Sequence, residues 1–379
     1  MLIILIGNYS PDKQESMQRF AYMLEDGFQR AGHTSKLWLP PAFFGSKVST
    51  TNVGVGKWLG YIDKWILFPL ILRWRLFINT PQADTCFHIC DHSNAPYFAH
   101  LPISRTSITC HDVLAIRAGL GYADSHVTAS RLGKKLQSFI LKNLTKANKL
   151  AAVSQFTLNL LRELTNTQRN GWRVIHNSFN AEFYPMPATE ASTILSKTAF
   201  NFTLPFLLHV GSGLPRKNRR LLLDMAFLLG NKWQGNICFA GEAIEPELAE
   251  HAATLGLQER VISVVGPNHN TLIALYSICT AFIFPSHSEG FGWPVIEAQA
   301  CGAPVIASDI APMPEVSGGG ALHARPTDAR QFADAFLSLE NSSARNELIQ
   351  QGFINCQRFE SQHMIAAYLD LISPPSRNL

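Results

Sequence analysis

The sequence is poor in charge and lacks repeats. Of its 379 residues 16% are charged and 46% are hydrophobic, which excludes an intrinsically disordered chain. The net charge of +4 comes without a dense arginine cluster, which argues against a nucleic-acid partner. Low-complexity stretches and short-period repeats are also absent. These absences favour a globular protein whose partners are anionic small molecules or an anionic membrane surface.

The seven cysteines are scattered and give no metal-ligand pattern. Their odd number and apolar surroundings predict buried thiols in a reducing compartment. Cys86 and Cys90 are too far apart for a CxxC pair, and no second pair matches them. We therefore expect no bound metal.

Long apolar runs are missing as well. The stretch from Ile66 to Leu72 is broken by Pro69 and is shorter than the ~20 residues of a membrane-spanning helix. The surrounding KWLGYIDKWILFPLILRWRLF favours a helix buried in the first domain, with an interfacial membrane helix as the alternative. The segment RLGKKLQSFILKNLTKANK carries basic residues without an acid, and predicts either contact with anionic lipid or a solvated helix face.

Apolar runs alternate with helical patterns along the chain. The first run, LIILIG, is typical of a strand buried in a parallel sheet rather than of a signal peptide. The helix and strand that follow it open a doubly wound α/β domain. The alternation stops in the proline-containing segment 183–206, predicted to be an irregular linker, and then resumes. The sequence therefore predicts two α/β domains, with a ligand cleft between them.

The stretch EGFGWPVIE, residues 289–297, carries two glutamates eight positions apart. Pro294 suits the first turn of a helix that follows a predicted strand, at the edge where α/β sheets bind ligands. The N–H groups of Gly292, Trp293 and Val295 are predicted to receive an anion, especially phosphate.

The two glutamates suit hydroxyl groups rather than phosphate. An ionised carboxylate only accepts hydrogen bonds, so Glu289 and Glu297 could each hold a diol on either side of a diphosphate. A nucleotide sugar has this layout. Taken singly, Glu289 is better explained as a solvated loop residue and Glu297 as a partner of the helix dipole. Together with Gly290 and Gly292, which allow close approach of the backbone, they favour a ligand site.

A second loop, VGSGLPRKN, places two cations after a predicted strand. It fails as a dinucleotide-binding fingerprint because Arg216 stands where the third glycine belongs. Arg216 and Lys217 suit a diphosphate leaving group, with a solvated basic turn as the alternative. The sequence has no D-x-D motif, so a divalent cation on the diphosphate is unsupported. The cations and the helix terminus would then stabilise the developing charge.

The first half offers a histidine at a strand end. In TCHDV, His111 and Asp112 follow a predicted strand. His111 could contact the transferred sugar, or be a structural histidine capped by local backbone. Asp91 and His92 form a similar pair that we rank lower.

The stretch HSEGFGWPVIEAQACGAPVIASD resembles the signature of retaining glycosyltransferases of the GT-B fold, specifically glycosyltransferase family 4. The E-x7-E motif of that family matches Glu289 and Glu297, and HVGSGLPRKN, VSQFT and VIHNSFN lie where the family has comparable segments. The resemblance implies two Rossmann-like domains facing a central cleft. The acceptor-binding domain would span 1–185, with the helix at 358–379 packing back on it, and the donor-binding domain would span 186–357.

The resemblance also implies site residues. Glu289 would bind hydroxyls of the donor sugar and Glu297 the ribose, while Arg216 and Lys217 would neutralise the departing diphosphate. His111 would contact the sugar and complete the catalytic group. The stretch QESM, 14–17, stands where the family has a glycine pair, which leaves the contacts of that loop open. The other donor-binding residues implied are Gly211, Ser212, Gly213, Glu242, Gly266, Gly290, Phe291, Gly292, Trp293 and Val295.

The activity implied is retaining transfer of a hexose from a nucleoside-diphosphate sugar to a saccharide or a lipid-linked saccharide. Mannose and a GDP-sugar are favoured, with rhamnose or glucose and a UDP- or dTDP-sugar as alternatives. No metal or cofactor is expected, and the protein would be cytoplasmic, with peripheral membrane contact as an option. A non-catalytic sugar-nucleotide-binding subunit and a GT-B nucleotide-sugar epimerase are the competing functions.

Overall fold

The computed structural model describes residues 1–48, 51, 54–82, 84–122, 130–198, 202 and 204–373. The chain forms two compact units. The first unit comprises Met1–Asn180 and Ser361–Leu379, and the second comprises Ala181–Glu360. Within the described residues each unit contains a six-stranded parallel sheet, which confirms the predicted doubly wound α/β fold.

The first unit is built on a sheet whose strands are β1 (Leu2–Ile6), β2 (Thr34–Trp38), β3 (Thr85–Ile89), β4 (Thr106–Cys110), β5 (Lys149–Ala152) and β6 (Trp172–Val174). Their order is β2-β1-β3-β4-β5-β6. Strand β1 is buried from Ile3 onward, because a parallel sheet has both faces covered. The chain leaves β1 toward β2 and later returns to place β3 on the other side of β1. A topological switch point therefore lies between β1 and β3.

The first six helices also belong to the first unit. They are α1 (Glu15–Arg30), α2 (Gly54–Ile62), α3 (Phe68–Ile78), α4 (Leu114–Leu120), α5 (Arg131–Leu144) and α6 (Gln155–Thr165). The π-helical segment Asp63–Leu67 joins α2 to α3, so the backbone is helical from Gly54 to Ile78. Pro69 does not interrupt it because it follows the π-helical turn, where the hydrogen-bond pattern shifts, and the Lys64 carbonyl oxygen accepts from the Tyr97 hydroxyl at 3.0 Å.

The sheet of the second unit has the strands β7 (Phe206–Gly211), β8 (Asn236–Gly241), β9 (Val261–Val265), β10 (Ala281–Phe284), β11 (Val305–Ser308) and β12 (Ala321–Ala324). Their order is β12-β11-β10-β7-β8-β9, with the first strand of the unit, β7, next to the fourth, β10. The switch point of this sheet therefore lies between β7 and β10.

The helices of the second unit are α7 (Ala188–Leu195), α8 (Arg219–Leu229), α9 (Pro246–Thr254), α10 (His269–Ile278), α11 (Trp293–Ala300), α12 (Met313–Ser317), α13 (Ala329–Ser338) and α14 (Ser342–Cys356). The prediction of an irregular linker over 183–206 is wrong where the chain forms α7. Ala191 and Leu195 lie one turn apart and are fully buried in the core, and Pro187 precedes the helix instead of breaking it. Residues 199–201 and 203 of that segment lie outside the described residues.

The last helix, α15 (Ser361–Ile372), packs on the first unit. The ring of Tyr368 is fully buried and its hydroxyl lies 2.9 Å from Thr109 Oγ1 on β4. Ile365 packs against Gly27 of α1, where an added Cβ would lie 2.3 Å from the Ile365 side chain. Residues 374–379 of the predicted C-terminal segment lie outside the described residues.

Candidate active site

The loops after β7 and β10 leave neighbouring strands at the switch point of the second sheet. Two hydrogen bonds to backbone carbonyl oxygens connect one loop to the other. The N–H of His287 donates to the Arg216 carbonyl oxygen at 2.7 Å, and Asn218 Nδ2 donates to the Pro285 carbonyl oxygen at 3.0 Å. Asn218 has a φ of 55°, in the left-handed region that asparagine tolerates. The turn that carries Arg216 and Lys217 is therefore held against the loop after β10.

Glu289 is the buried centre of this arrangement. Its Oε1 accepts from Lys217 Nζ at 2.6 Å and its Oε2 from Arg216 Nη1 at 2.9 Å. Burial alone would raise the pKa of Glu289, but the charges of Lys217 and Arg216 outweigh it and lower the pKa to about 2. The carboxylate stays ionised, and two cations against one anion leave a net positive charge for an anionic ligand.

Several polar atoms beside this ion cluster lack hydrogen-bond partners within the described part of the chain. They include His209 Nε2 and Ser288 Oγ, and both belong to buried residues. Burial lowers the pKa of His209 to about 3, so its ring is neutral. His209 Nδ1 lies 3.1 Å from the Ile283 carbonyl oxygen, which can only accept, so Nε2 is the unprotonated nitrogen. Buried polar atoms of this kind are rare unless water or a ligand completes them.

The helix after Glu289 begins where the sequence predicts it, within one residue. Gly292 has a φ of 103°, and an added Cβ would lie 2.7 Å from the Met313 side chain, so only glycine fits. Pro294 lies in the first turn as expected. One predicted anion donor is wrong, because the N–H of Val295 already donates to the Gly292 carbonyl oxygen at 3.0 Å. The predicted donation by Gly292 and Trp293 stays a prediction.

Glu297, on α11, lies buried beside Tyr276 of α10. The Tyr276 hydroxyl donates to Glu297 Oε2 at 3.0 Å. Burial and then the nearby carboxylate raise the pKa of Tyr276 well above its ordinary value, so the hydroxyl remains a donor. The second glutamate is thus fixed by a neutral hydroxyl, whereas Glu289 is fixed by two cations.

Arg219 ties the loops after β7 and β8 together. Its guanidinium is buried and donates to the carbonyl oxygens of Gly211 and Glu242, each at 2.9 Å. The carboxylate of Glu242 in turn accepts from the Gly213 N–H at 2.8 Å. The predicted donor-binding residues Gly211, Gly213 and Glu242 therefore lie in one hydrogen-bonded group. Gly266, which follows β9, joins the same edge through its N–H, 2.8 Å from the Gly241 carbonyl oxygen.

The remaining predicted donor residues lie around the start of α11 and the end of β7. The Phe291 ring packs edge-to-face on Trp293, with 6.1 Å between centroids, and on Phe359 at 5.6 Å. Gly290 precedes this aromatic pair, and Ser212 follows β7 half-buried. These contacts make Phe291 a packing residue that fixes the loop in which Gly290 lies.

The switch point of the first sheet carries a different polar cluster. Asn8 follows β1, and its Nδ2 lies 2.5 Å from Asp91 Oδ2 and 2.6 Å from Gln14 Oε1. Asn94 Nδ2 donates to Asn8 Oδ1 at 2.9 Å, and the Ser93 N–H donates to Asp91 Oδ1 at 2.9 Å. Gln14, the first residue of the QESM stretch, therefore orients an amide rather than giving the backbone access that a glycine pair would give.

The pKa values of the two histidines at this edge shift in opposite directions. His92 Nδ1 lies 3.1 Å from Asp91 Oδ1. Burial lowers the pKa of His92, but the Asp91 carboxylate more than offsets this, so the pKa ends above its ordinary value. Burial also opposes ionisation of Asp91, yet His92 and Asn8 bring its pKa below the ordinary value. His111 has its pKa lowered by burial, and its Nε2 lies 2.9 Å from the Cys90 carbonyl oxygen, as in the structural alternative.

Several site residues carry no motif and were missed in the sequence. Asn8 follows an apolar run at a ligand-binding edge, which is a weak signal that could have been used. Arg219 lies two positions past the basic pair, so its burial could not be predicted from spacing. His209 and Tyr276 lie inside regular elements, where a polar residue looks like part of the core.

Residues 191–353, most of the second unit, match the family described as Glycosyl transferases group 1. The O-antigen chain mannosyltransferase B of Escherichia coli is 27% identical over 313 residues, which cover 80% of this chain and 79% of the relative. The second unit matches the group 1 glycosyltransferase family, and the chain has the GT-B fold. It spans only 28% of the length of the serotype-specific mannosyltransferase WbdA of Escherichia coli, to which it is also 27% identical.

Solved structures agree with this fold. The sucrose-phosphate synthase (tll1590) of Thermosynechococcus elongatus superposes with a TM-score of 0.75 at 18% identity, over 98% of both chains. The Anabaena protein Alr3699/HepE, crystallised in complex with UDP and glucose, superposes with a TM-score of 0.70 at 15% identity. The superposition covers 97% of this chain and 98% of the Anabaena protein.

Proposed function

We propose that this glycosyltransferase transfers a hexose, with mannose favoured over rhamnose and glucose, from a nucleoside-diphosphate sugar to a hydroxyl of a saccharide or lipid-linked saccharide. The transfer would take place in O-antigen or other polysaccharide assembly, with retention of anomeric configuration. The observation that carries the proposal is the buried Glu289 carboxylate held by Lys217 and Arg216 at the switch point of the second sheet. The likeness to an E. coli O-antigen mannosyltransferase supports the choice of sugar.

The donor would occupy the edge formed by the loops after β7, β8, β9 and β10. Arg216 and Lys217 would bind the diphosphate and stabilise the charge that develops on it as the glycosidic bond breaks. Glu289 and Glu297 would accept hydrogen bonds from the sugar and from the ribose. Since Arg216 and Lys217 compensate the charge of Glu289 before the donor binds, a diphosphate can enter without meeting an exposed anion.

The low pKa of Glu289 defines the role we assign to it. A carboxylate with a pKa of about 2 is a weak base at neutral pH and does not supply a proton. We therefore assign it hydroxyl binding and no proton transfer, and we name no carboxylate as the nucleophile. The cations would provide the charge stabilisation without a divalent metal or a cofactor. His111 would contact the sugar from the first unit rather than act as a base.

The identity of the nucleotide would be read by the loops that carry Glu242 and Gly266. We favour GDP, with UDP and dTDP as alternatives. The UDP and glucose bound to the related Anabaena fold support a nucleotide sugar as the class of donor. The first unit would bind the acceptor, and the enzyme would work in the cytoplasm, in peripheral contact with the inner face of the membrane.

The direct test is acceptor-dependent release of nucleoside diphosphate. A thermal-shift screen of GDP-, UDP- and dTDP-sugars first identifies the donor, because a ligand of the folded state raises the melting temperature. A transferase releases nucleoside diphosphate when the acceptor oligosaccharide is added and leaves the new linkage with the anomeric configuration of the donor. Binding without release would indicate a non-catalytic subunit. Consumption of donor without acceptor would indicate an epimerase.

A further inference from the structure

The helical segment from Gly54 to Ile78 buries one side and exposes apolar residues on the other. Gly56, Gly60 and Leu72 are on the buried side. The exposed apolar residues lie at helical intervals of three, four and eight, and each is between 58% and 83% exposed. We name this set the apolar face: Val55, Trp58, Ile66, Leu70, Trp74 and Phe77. The sequence favoured a helix buried in the first domain, and the structure buries only half of it.

The charges around the apolar face have one sign. Lys57 and Arg73 are exposed on the same helical segment. Its one acidic residue, Asp63, is fully buried, where it accepts from the Tyr9 hydroxyl at 2.6 Å and from the Gly45 N–H at 2.9 Å. An anionic surface brought against this face therefore meets cations and no opposing carboxylate from the segment.

Helix α5 adds basic charge close by. Both α3 and α5 pack against the 3₁₀-helical segment His92–His100. Helix α5 exposes Phe139, one turn from Lys135 and Lys142. Its sequence, RLGKKLQSFILKNL, contains no acid. A surface that combines exposed aromatic rings with lysines is what an anionic lipid layer attracts.

The dimensions indicate a segment that lies along a membrane. Twenty-five helical residues extend about 37 Å at 1.5 Å per residue, and the exposed residues follow this length. Among the described residues no helix is long and apolar enough to cross a bilayer. Tryptophan prefers the boundary between head groups and acyl chains. We propose that the apolar face binds the surface of an anionic bilayer, with Trp58 and Trp74 at the head groups and Phe77 inserted below them.

Vesicle co-sedimentation of the full chain tests this proposal without relying on the proposed transferase activity. The wild type is expected to bind phosphatidylethanolamine vesicles that contain phosphatidylglycerol, and to bind pure phosphatidylcholine vesicles more weakly. Trp74→Ser with Phe77→Ser should weaken binding at least about tenfold, because the inserted apolar area is lost. The matched control is Phe227→Ser with Ile354→Ser, which removes two apolar side chains on the second unit. Their exposed fractions are 54% and 57%, and the control should bind vesicles like the wild type.

A second variant tests the contribution of the basic residues to vesicle binding. Lys57→Gln with Arg73→Gln should lower binding to the anionic vesicles and leave binding to phosphatidylcholine unchanged. Unchanged thermal unfolding of each variant shows that the fold is intact. The proposal is overturned if the wild type binds neither vesicle, or if the control loses as much binding as the Trp74 and Phe77 variant. It is also overturned if the wild type is a dimer in lipid-free sedimentation and the Trp74 and Phe77 variant is a monomer that still binds vesicles. The apolar face would then bind a second copy of the chain.

Discussion

The two switch points occupy the same place in their sheets but carry opposite chemistry. At β7 and β10 a carboxylate is held by two cations, and neighbouring polar atoms such as His209 Nε2 have no partner among the described residues. At β1 and β3 a carboxylate is held by the amide of Asn8 and by His92, and the amide is itself oriented by Gln14. The same topology therefore provides two cations around one carboxylate in the second unit, and a carboxylate held by an amide and a histidine in the first. The two cations of the second unit suit a diphosphate.

The largest expected effect is on activity at the switch point of the second sheet. Lys217→Ala should lower kcat by about 10²–10³, since it removes a cation from the departing diphosphate. Nucleoside diphosphate release under saturating donor measures it. Arg220→Ala, which removes an exposed cation three positions further on, should leave kcat within about twofold. Equal losses in both variants would show that general surface charge, rather than Lys217, matters.

The next effect is on stability in acid. Glu289→Gln should destabilise the second unit by on the order of 3 kcal/mol at neutral pH, because it leaves two cations without their anion. Since the pKa of Glu289 in the folded protein is about 2 and its ordinary value is 4.5, this contribution is complete above pH 4.5 and is lost as the pH falls toward 2. Calorimetric unfolding of wild type and variant between pH 2 and pH 7 should therefore converge at the acid end. Parallel curves over this range would contradict the assigned ion pairs.

Substitution of one buried tyrosine in each unit is expected to have a smaller effect, on binding of the nucleotide sugar. Tyr276→Phe removes the hydroxyl that donates a hydrogen bond to Glu297. It should weaken binding of the nucleotide sugar about five- to tenfold, which corresponds to about 1 kcal/mol of binding free energy. Tyr97→Phe makes the same change at a buried tyrosine of the first unit, whose hydroxyl donates to the Lys64 carbonyl oxygen at 3.0 Å. Titration of the donor should show a loss for Tyr276→Phe alone. If both variants bind the donor equally well, Glu297 does not depend on Tyr276.

The smallest expected effect is on the stability of the first unit above pH 6.5. The pKa of His92 is raised above its ordinary value of 6.5 by Asp91, so its contribution to stability is complete below pH 6.5 and is lost as the pH rises through the folded-state pKa. His92→Gln should remove this slope from the unfolding of the first unit and leave the acid-side slope of Glu289 in place. An unchanged slope above pH 6.5 in the variant would mean that another group carries it.

The sequence allowed the fold to be predicted because buried parallel strands are continuous apolar runs, as in LIILIG. The ion cluster was predicted only in part. The two cations and the glutamates were assigned to separate parts of the donor, whereas the structure brings Lys217 and Arg216 onto Glu289 itself. That pairing depends on β10 lying next to β7 across a crossover, which local spacing does not encode. Helix α7 was missed because its prolines lie before it. Val295 was wrongly named as an anion donor because the sequence does not show that its N–H is used within the first helical turn.

Calorimetric titration with nucleoside diphosphate tests the central claim most directly. GDP, UDP and dTDP are titrated into the wild type, and the tightest of them is then titrated into the Arg216→Ala, Lys217→Ala double variant and into Asn8→Ala. We predict a loss of at least about a hundredfold for the double variant and a change within about twofold for Asn8→Ala. Unchanged affinity in the double variant, or an equal loss in Asn8→Ala, would contradict a diphosphate site at the second switch point.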